Sequence, residues 1–200
     1  MFVIALTGGI GSGKTTVSNI FKSNDIPIID TDVIAHQLVE QGRPAYEDVV
    51  KEFGTGILNS DRTINREYLR ELIFSSEEKR VQLEKILHPL IWDEVTLQIS
   101  NLQSPYCIVV VPLLVENLKK EKSIEFDRIL VIDTTEELQL KRSIQRDNSD
   151  ETMIKKIMDN QVSRQTRLKA ADDVILNVDD LDSLNRSVQN LHTQYIELSK

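Results

Sequence analysis

The sequence predicts an α/β protein in which a parallel, five-stranded sheet is flanked by helices. Short apolar segments alternate with longer segments whose apolar residues recur every three or four positions, which is the pattern of strands joined by helical crossovers. A second observation is a helix-rich stretch from about residue 40 to residue 103, which predicts a helical insertion into the sheet domain. The predicted strands cover residues 2–6, 26–29, 106–111, 126–132 and 173–176.

The predicted helices connect these strands. After the first strand, Val17, Ile20 and Phe21 are spaced to share one helical face. The inserted stretch begins with several glycine and proline residues that mark loops, between residues 41 and 65. In the segment that follows, Pro89 predicts a break or kink near His88, because proline lacks the N–H that a helix needs. The other predicted helices cover residues 33–39, 66–102, 136–146, 151–161 and 181–198.

Residues 8–15, GGIGSGKT, follow the first predicted strand and match G-x-x-x-x-G-K-[ST], the pattern of the phosphate-binding P-loop. Glycines allow backbone N–H groups to turn towards a phosphate chain, and the next helix directs its positive N-terminal end at the same anion. Lys14 can contact the β and γ phosphates, and the Thr15 hydroxyl can bind Mg²⁺. A dinucleotide-binding motif is excluded, because it would require glycine at position 14. The sequence therefore predicts a P-loop NTPase fold that binds a nucleoside triphosphate.

Composition narrows the possible partners. The formal net charge of −8 argues against general affinity for nucleic acids or membranes. Residues 141–169 nevertheless carry eight Lys or Arg and four Asp or Glu, a local charge of 8 − 4 = +4. This local excess favours a small polyanion as a ligand, although a solvated helix face can have the same composition. Cys107 is the single cysteine, and neither a signal peptide nor a membrane span is predicted, so we expect a cytoplasmic protein.

Charged residues with possible chemical roles follow the predicted strands. Asp30 and Asp32 follow the second strand, where a carboxylate can accept a proton from an attacking hydroxyl or hold Mg²⁺ through water. Aspartate is also a common helix N-cap, and spacing alone leaves both interpretations open. The P-loop favours a functional role, with Asp32 as the better candidate for a base. Arg142 and Arg146 share a helical face and could stabilise charge on a transferred phosphoryl group, or simply form a solvated basic face.

Two classes of P-loop protein are disfavoured. A regulatory GTPase needs a D-x-x-G switch, but the residues three positions before Gly42, Gly54 and Gly56 are not aspartate. A motor or transporter ATPase usually has an apolar strand that ends in an acidic residue, whereas the segment 106–111 ends at Pro112. A small kinase with an acceptor-binding subdomain and a basic lid accounts for all of these features.

The chain resembles the dephospho-coenzyme A kinase family. The resembling segments occur in the family's order and cover almost the whole chain. The P-loop alone specifies little, but the boxes D-x-D-x-I-A, H-P, P-L-L-V-E and A-D-D-V-I-x-N are together specific. The segments are LTGGIGSGKTT (6–16), IDTDVIAHQLV (29–39), LHPLI (87–91), VVPLLVEN (110–117), QLKRSIQRD (139–147) and NQVSRQTRLKAADDVILN (160–177).

The resemblance implies a reaction and a domain plan. The γ-phosphoryl group of ATP would be transferred, with Mg²⁺, to the ribose 3′-hydroxyl of dephospho-coenzyme A in the last step of coenzyme A biosynthesis. ATP and dephospho-coenzyme A would be the partners, without nucleic acid or membrane, for a monomer or weak homo-oligomer. The single P-loop kinase domain would comprise a helical acceptor-binding insertion at about 40–103, a helical lid at about 140–169 that closes on both substrates, and a nucleotide-binding core. That core would be formed by about 1–39, 104–139 and 170–200.

The resemblance also implies roles for individual residues. Asp32 would be the general base, and it would act with Lys14, Arg142 and Arg146 in catalysis. Asp30 would order the water shell of a magnesium ion bound to Thr15. Asn177 would contact adenine, although a turn residue at a strand end is a serious alternative. The other ATP-binding residues would be Gly11, Ser12, Gly13 and Thr16, and the acceptor side would comprise Thr7, His88, Pro112, Leu113, Leu114 and Glu116.

Two rival functions remain open from the residues. The nearer is a kinase that phosphorylates another small molecule or a nucleoside monophosphate on the same scaffold. The more distant is a nucleotide-binding module without catalytic activity, which would bind ATP but show no turnover that depends on an acceptor.

Overall fold

A computed structural model describes residues 1–117, 124–147 and 150–200. The chain divides into two compact units, the first formed by Met1–Asp30 with Asn101–Lys200 and the second by Thr31–Ser100. In these described ranges, every helix is too short or too polar to cross a membrane.

The first unit contains a five-stranded sheet in the order β2-β3-β1-β4-β5, and all neighbouring strands are parallel. This confirms the predicted fold class. β1 is central, with Ala5 beside Val109 and Ile129, and its middle residues are fully buried. Burial on both faces is why β1, β3 and most of β4 are continuous apolar runs without alternation. The strands are β1 Phe2–Gly8, β2 Ile28–Asp30, β3 Tyr106–Val110, β4 Arg128–Asp133 and β5 Asp173–Leu176.

Ten α-helices are assigned among the described residues. α2 to α5 belong to the second unit, together with a 3-10 turn at Thr55–Ile57, and the remaining helices belong to the first unit. They are α1 Lys14–Lys22, α2 Thr31–Leu38, α3 Tyr46–Phe53, α4 Arg66–Ser75, α5 Glu77–Ser100, α6 Leu114–Asn117, α7 Glu136–Asp147, α8 Glu151–Asp159, α9 Arg164–Lys169 and α10 Leu181–Leu198.

An aromatic cluster in the first unit fixes the helix that follows the P-loop. The ring of Phe21 on α1 lies 6.3 Å from the ring of Tyr195 on α10 and 6.5 Å from that of Tyr106 on β3, measured between centroids. All three side chains are fully buried. Because such contacts hold α1 against both the sheet and α10, they also fix the position of its N-terminus, where the P-loop ends.

The second unit is built on α5, against which α2, α3 and α4 pack. A break or kink was predicted near His88; the break is wrong, because the 24 residues of α5 form one helix that includes Pro89. Proline removes only one backbone hydrogen bond, and burial of Leu83, Ile91 and Val95 holds the helix on both sides of it. The loop-marked segment also contains α3, which the sequence analysis missed and which buries Val49.

Candidate active site

The P-loop connects β1 to α1 in a conformation that only glycine adopts easily. Gly11 and Gly13 have φ angles of 68° and 98°. A Cβ atom on Gly11 would lie 2.5 Å from the carbonyl oxygen of Gln139 and 2.6 Å from Ser143 Oγ, both on α7. Glycine is therefore required by the backbone angle and by the close approach of a neighbouring helix.

Lys14, in the first turn of α1, reaches back over the beginning of the loop. Its Nζ donates hydrogen bonds to the carbonyl oxygens of Gly8 at 2.8 Å and Gly9 at 3.1 Å. The loop is closed on itself by a hydrogen bond of 3.2 Å from Ser12 N to the same Gly9 oxygen. The ammonium group is thus held at the Gly8–Gly9 end of the loop.

Two glutamines hold the peptide groups of Ile10. Gln139 Nε2, on α7, donates to the Ile10 carbonyl oxygen at 2.7 Å. Ile10 N donates to Gln161 Oε1, just after α8, at 3.1 Å. The side chain of Gln139 is buried, with 6% of the residue exposed. Backbone groups that would otherwise be unpaired are therefore satisfied by neutral side chains from distant segments.

Asn177, which follows β5, supports the other end of the loop. Its Nδ2 donates to the Ser12 carbonyl oxygen at 2.7 Å. Its own carbonyl oxygen accepts hydrogen bonds from Thr134 Oγ1 at 2.8 Å and Arg142 Nη1 at 3.0 Å. A Cβ atom on Gly13 would collide with the Asn177 amide, so this contact also requires glycine.

Two arginines of α9 lie in contrasting surroundings. Arg164 forms a bidentate ion pair with Asp133, from Nε to Oδ1 at 2.8 Å and from Nη2 to Oδ2 at 2.6 Å. These hydrogen bonds raise the pKa of Arg164. Arg167 is only 7% exposed, and its Nη2 donates to the Val162 carbonyl oxygen at 3.0 Å. Burial lowers the pKa of Arg167, since desolvation disfavours the charged form.

A pocket of about 280 Å³ lies among α7, α8, α9 and the segment that joins α8 to α9. Gln139, Gln161, Arg164 and Arg167 all line it. Because the two glutamines also contact Ile10, the pocket adjoins the P-loop. Arg164 and Arg167 bring two guanidinium groups to this pocket, which Glu136 and Asp159 also line, and guanidinium groups can bind phosphate.

A family model and the sequences of known relatives point to the same family. The family model described as "Dephospho-CoA kinase" matches residues 2–183. The chain belongs to the dephospho-CoA kinase family. A relative named dephospho-CoA kinase, from Aggregatibacter actinomycetemcomitans, is 43% identical over 203 residues, which cover 100% of this chain and 97% of the relative.

Solved structures add support for the fold. The structure of dephospho-CoA kinase from Campylobacter jejuni has a TM-score of 0.69 at 25% identity, covering 99% of this chain and 98% of its own. A shikimate kinase from Acinetobacter baumannii, at 14% identity, has a TM-score of 0.56 and covers 98% of this chain and 94% of its own. This second likeness shows the fold alone.

Several residues implied by the family resemblance lie together in the first unit. Thr7, at the end of β1, donates from Oγ1 to the Pro112 carbonyl oxygen at 3.3 Å. Glu116 Oε1 accepts a hydrogen bond of 3.1 Å from Val162 N, next to the pocket. Of the two leucines between them, Leu113 is exposed and Leu114 is buried. The structure thus brings together the P-loop and the segment after β3.

The remaining predicted residues belong to the following elements. Asp30 ends β2, and Asp32 lies in the first turn of α2. His88 belongs to the middle of α5, in the second unit. Arg146, in the last turn of α7, forms an exposed ion pair with Asp147 at 2.7 Å, which raises the pKa of Arg146. Their roles stay predictions.

Five residues near the loop were not predicted as site residues, although the sequence carries a signal for four of them. Asp133 directly follows the predicted strand 126–132, and both arginines of α9 lie within the basic stretch and the last family box. Gln139 opens the box QLKRSIQRD, and Gln161 lies in NQVSRQTRLKAADDVILN without any chemical signal of its own. The five are Asp133, Gln139, Gln161, Arg164 and Arg167.

The two predicted metal ligands have oxygen atoms that suit Mg²⁺. Thr15 is exposed in the first turn of α1, and Asp30 supplies a carboxylate at the end of β2. Within the part of the chain that the structure describes, no three His, Cys, Asp or Glu residues form a metal-binding group. Mg²⁺ in phosphoryl-transfer sites takes only one or two protein ligands beside phosphate and water, so a hydroxyl with one carboxylate fits it.

Proposed function

We propose that this protein transfers the γ-phosphoryl group of ATP to the 3′-hydroxyl of the dephospho-coenzyme A ribose, giving coenzyme A and ADP as the last step of coenzyme A biosynthesis. The observation that carries the proposal is the match to the family across residues 2–183. The P-loop, with its lysine and its bracing side chains, supplies the nucleotide site that this reaction needs.

The loop binds the triphosphate of ATP in this proposal. Backbone N–H groups from Gly11 to Thr16 surround the phosphates, and Lys14 contacts the β and γ phosphates. Thr15, with Asp30 acting through water, would hold Mg²⁺, which when bound neutralises charge on the phosphate oxygens. Asn177 Nδ2 is engaged with Ser12, so its Oδ1 is the atom that accepts a hydrogen bond from the adenine amino group.

Asp32 acts as the general base. Its carboxylate accepts the proton of the 3′-hydroxyl, the hydroxyl oxygen bonds to the γ phosphorus, and the bond from that phosphorus to the bridging oxygen breaks, leaving ADP. The acceptor is bound by Thr7, His88 and the segment Pro112, Leu113, Leu114 and Glu116. Among these groups, Glu116 also links that segment to the lid region through Val162.

Residues 140–169, of which 148 and 149 lie outside the described residues, would form the lid, and Arg142 and Arg146 would close on the phosphates when both substrates are bound. Closure would exclude water and so prevent hydrolysis of ATP. The contact of Arg142 with Asn177 supports its place beside the nucleotide. We also propose that the protein is cytoplasmic and is a monomer or a weak homo-oligomer.

A coupled ATP assay tests the acceptor. Purified protein with Mg²⁺ and ATP would be offered dephospho-coenzyme A, nucleoside monophosphates, nucleosides and shikimate in parallel. ADP should form rapidly with dephospho-coenzyme A alone, and phosphorus NMR should locate the new phosphate on the 3′-oxygen. Faster turnover with another acceptor would replace the proposed substrate, and ATP binding without any acceptor-dependent turnover would favour a binding module.

A further inference from the structure

Arg167 is a buried cation without an ion pair among the described residues. Glu116 and Asp133 attract it from a distance, but each is already engaged, by Val162 N and by Arg164 respectively. Among the described residues, Arg167 donates one hydrogen bond, to the Val162 carbonyl oxygen, which uses one of the five N–H donors of a guanidinium. A charge buried with so few partners costs folding free energy, which indicates that it serves a ligand.

The position of Arg167 indicates which ligand it binds. Its Nη1 lies 3.2 Å from the point that a Cβ atom on Gly9 would occupy. The carbonyl oxygen of the same glycine accepts a hydrogen bond from Lys14 Nζ at 3.1 Å. Both cations therefore lie close to Gly9, at the Gly8–Gly9 end of the loop, while Asn177 contacts the opposite end at Ser12 and Gly13.

In P-loop kinases the lysine contacts the β and γ phosphates. Because Arg167 lies at the same end of the loop as Lys14, we expect its guanidinium to face the γ-phosphoryl group, which is the group transferred. We propose that Arg167 is a catalytic residue that binds the γ-phosphoryl group of the nucleotide, an inference that rests on the proposed kinase function. Its guanidinium donates to non-bridging oxygens of this group and keeps all its protons, while the phosphorus moves from the ADP oxygen to the acceptor oxygen.

This role separates Arg167 from its neighbour on the same helix. Arg164 is neutralised by Asp133 and positions α9 against the end of β4, so we assign it a positioning role. Arg167 has no such counterion among the described residues and lines the pocket beside the loop. Of these two arginines, Arg167 is the one whose charge no ion pair among the described residues neutralises, so it can act together with Lys14 on the negative charge of the transferred group.

The test compares binding of ADP with binding of a non-hydrolysable ATP analogue, both with Mg²⁺, by calorimetry. In Arg167→Gln, the Kd of the analogue should rise by about tenfold or more, as expected for one lost charged hydrogen bond, while that of ADP changes little. The kcat should fall by about 10²-fold or more. Arg167→Lys should recover part of the analogue affinity but little of kcat, because a lysine cannot donate in the planar bidentate form.

Arg186→Gln, on the exposed side of α10, is the matched control for loss of one positive charge, and it should leave both Kd values and kcat unchanged. Equal weakening of ADP and the analogue by Arg167→Gln would show a merely structural role and overturn the proposal, as would near-normal kcat. Neither binding measurement uses an acceptor. An error in the proposed acceptor would therefore leave this result intact.

A second experiment avoids variants that fail to fold. The wild-type protein would be crystallised with ADP, Mg²⁺ and aluminium fluoride, which imitates the phosphoryl group in transfer. A guanidinium nitrogen of Arg167 should lie within hydrogen-bonding distance, about 3 Å, of a fluoride. A complex in which Arg167 still contacts only Val162 would overturn the proposal.

Discussion

Replacement of Asn177 by alanine should separate the support of the P-loop from the binding of its ligand. Asn177 is 7% exposed, and its Nδ2 donates a buried hydrogen bond of 2.7 Å to the Ser12 carbonyl oxygen. Loss of a buried hydrogen bond that leaves its partner unsatisfied costs about 1–3 kcal/mol. Each 1 kcal/mol lowers the Tm of a chain of this size by about 2–4 °C. Taking about 2 kcal/mol, we expect a Tm roughly 4–8 °C lower without any nucleotide.

The assay is thermal unfolding followed by circular dichroism, with and without ATP or GTP. Asn185→Ala is the matched control, since Asn185 Nδ2 also donates to a backbone carbonyl oxygen, that of Leu181, but at the surface. Its Tm should change by less than about 2 °C, because surface substitutions usually stay within about 0.5 kcal/mol. Asn177→Ala should also reduce the stabilisation by ATP more than that by GTP, since its Oδ1 is the proposed adenine acceptor. An unchanged Tm without nucleotide would refute the role of Asn177 as a support for the loop.

Four further predictions follow from the same site and its surroundings. Asp32→Asn should lower kcat by about 10²-fold or more with nearly unchanged ATP affinity, and near-normal turnover would remove Asp32 from the mechanism. Gly13→Ala should lower the Tm and the ATP affinity, measured by melting and calorimetry, more than Gly42→Ala does. Both glycines have positive φ, but only Gly13 faces a buried amide, so equal losses would contradict this prediction. Burial raises the pKa of the Cys107 thiol to about 11 from 9.0, so the stability that this buried thiol contributes is complete below about pH 9 and is lost as the pH rises through 11. In denaturant melts, the free energy of unfolding should therefore fall less steeply with pH in Cys107→Ser than in the wild type. Parallel curves would exclude the effect. Residues 140–169 should resist limited proteolysis better with both substrates than with none, and identical cleavage would argue against lid closure.

The P-loop could be predicted from the sequence because the features that define it are local. The strand, the glycines and the helix follow one another within about twenty residues, and each has its own pattern. The sheet could be predicted for a similar reason, since strands buried on both faces form continuous apolar runs. The predicted ends of strands were less accurate. β2 begins two residues later than predicted, because Ile26 is buried in the segment before it and does not pair in the sheet.

The groups that brace the loop could not be predicted, because nothing local marks them. Gln139 and Gln161 are separated from Ile10 by 129 and 151 residues in the sequence. A glutamine is uncharged and belongs to no recognisable pattern, so the sequence does not predict such a contact. In the sequence, Arg167 could be noticed only as one residue of a basic stretch and of the last family box. Whether an arginine in such a stretch is solvated, ion-paired or buried depends on where α9 packs, and this six-residue helix was itself missed.

The division of labour around the loop follows from the chemistry of its ligand. Neutral amides of Gln139, Gln161 and Asn177 hold the loop backbone at Ile10 and Ser12, so the shape is fixed without adding charge. A carboxylate in any of these places would repel a triphosphate, while a cation would compete with Lys14 for it. Charge is supplied separately, by a lysine that belongs to the loop itself and by arginines from later segments. Because those segments also carry the glutamines, their position can be coupled to the shape of the loop, which is what a lid that responds to nucleotide requires.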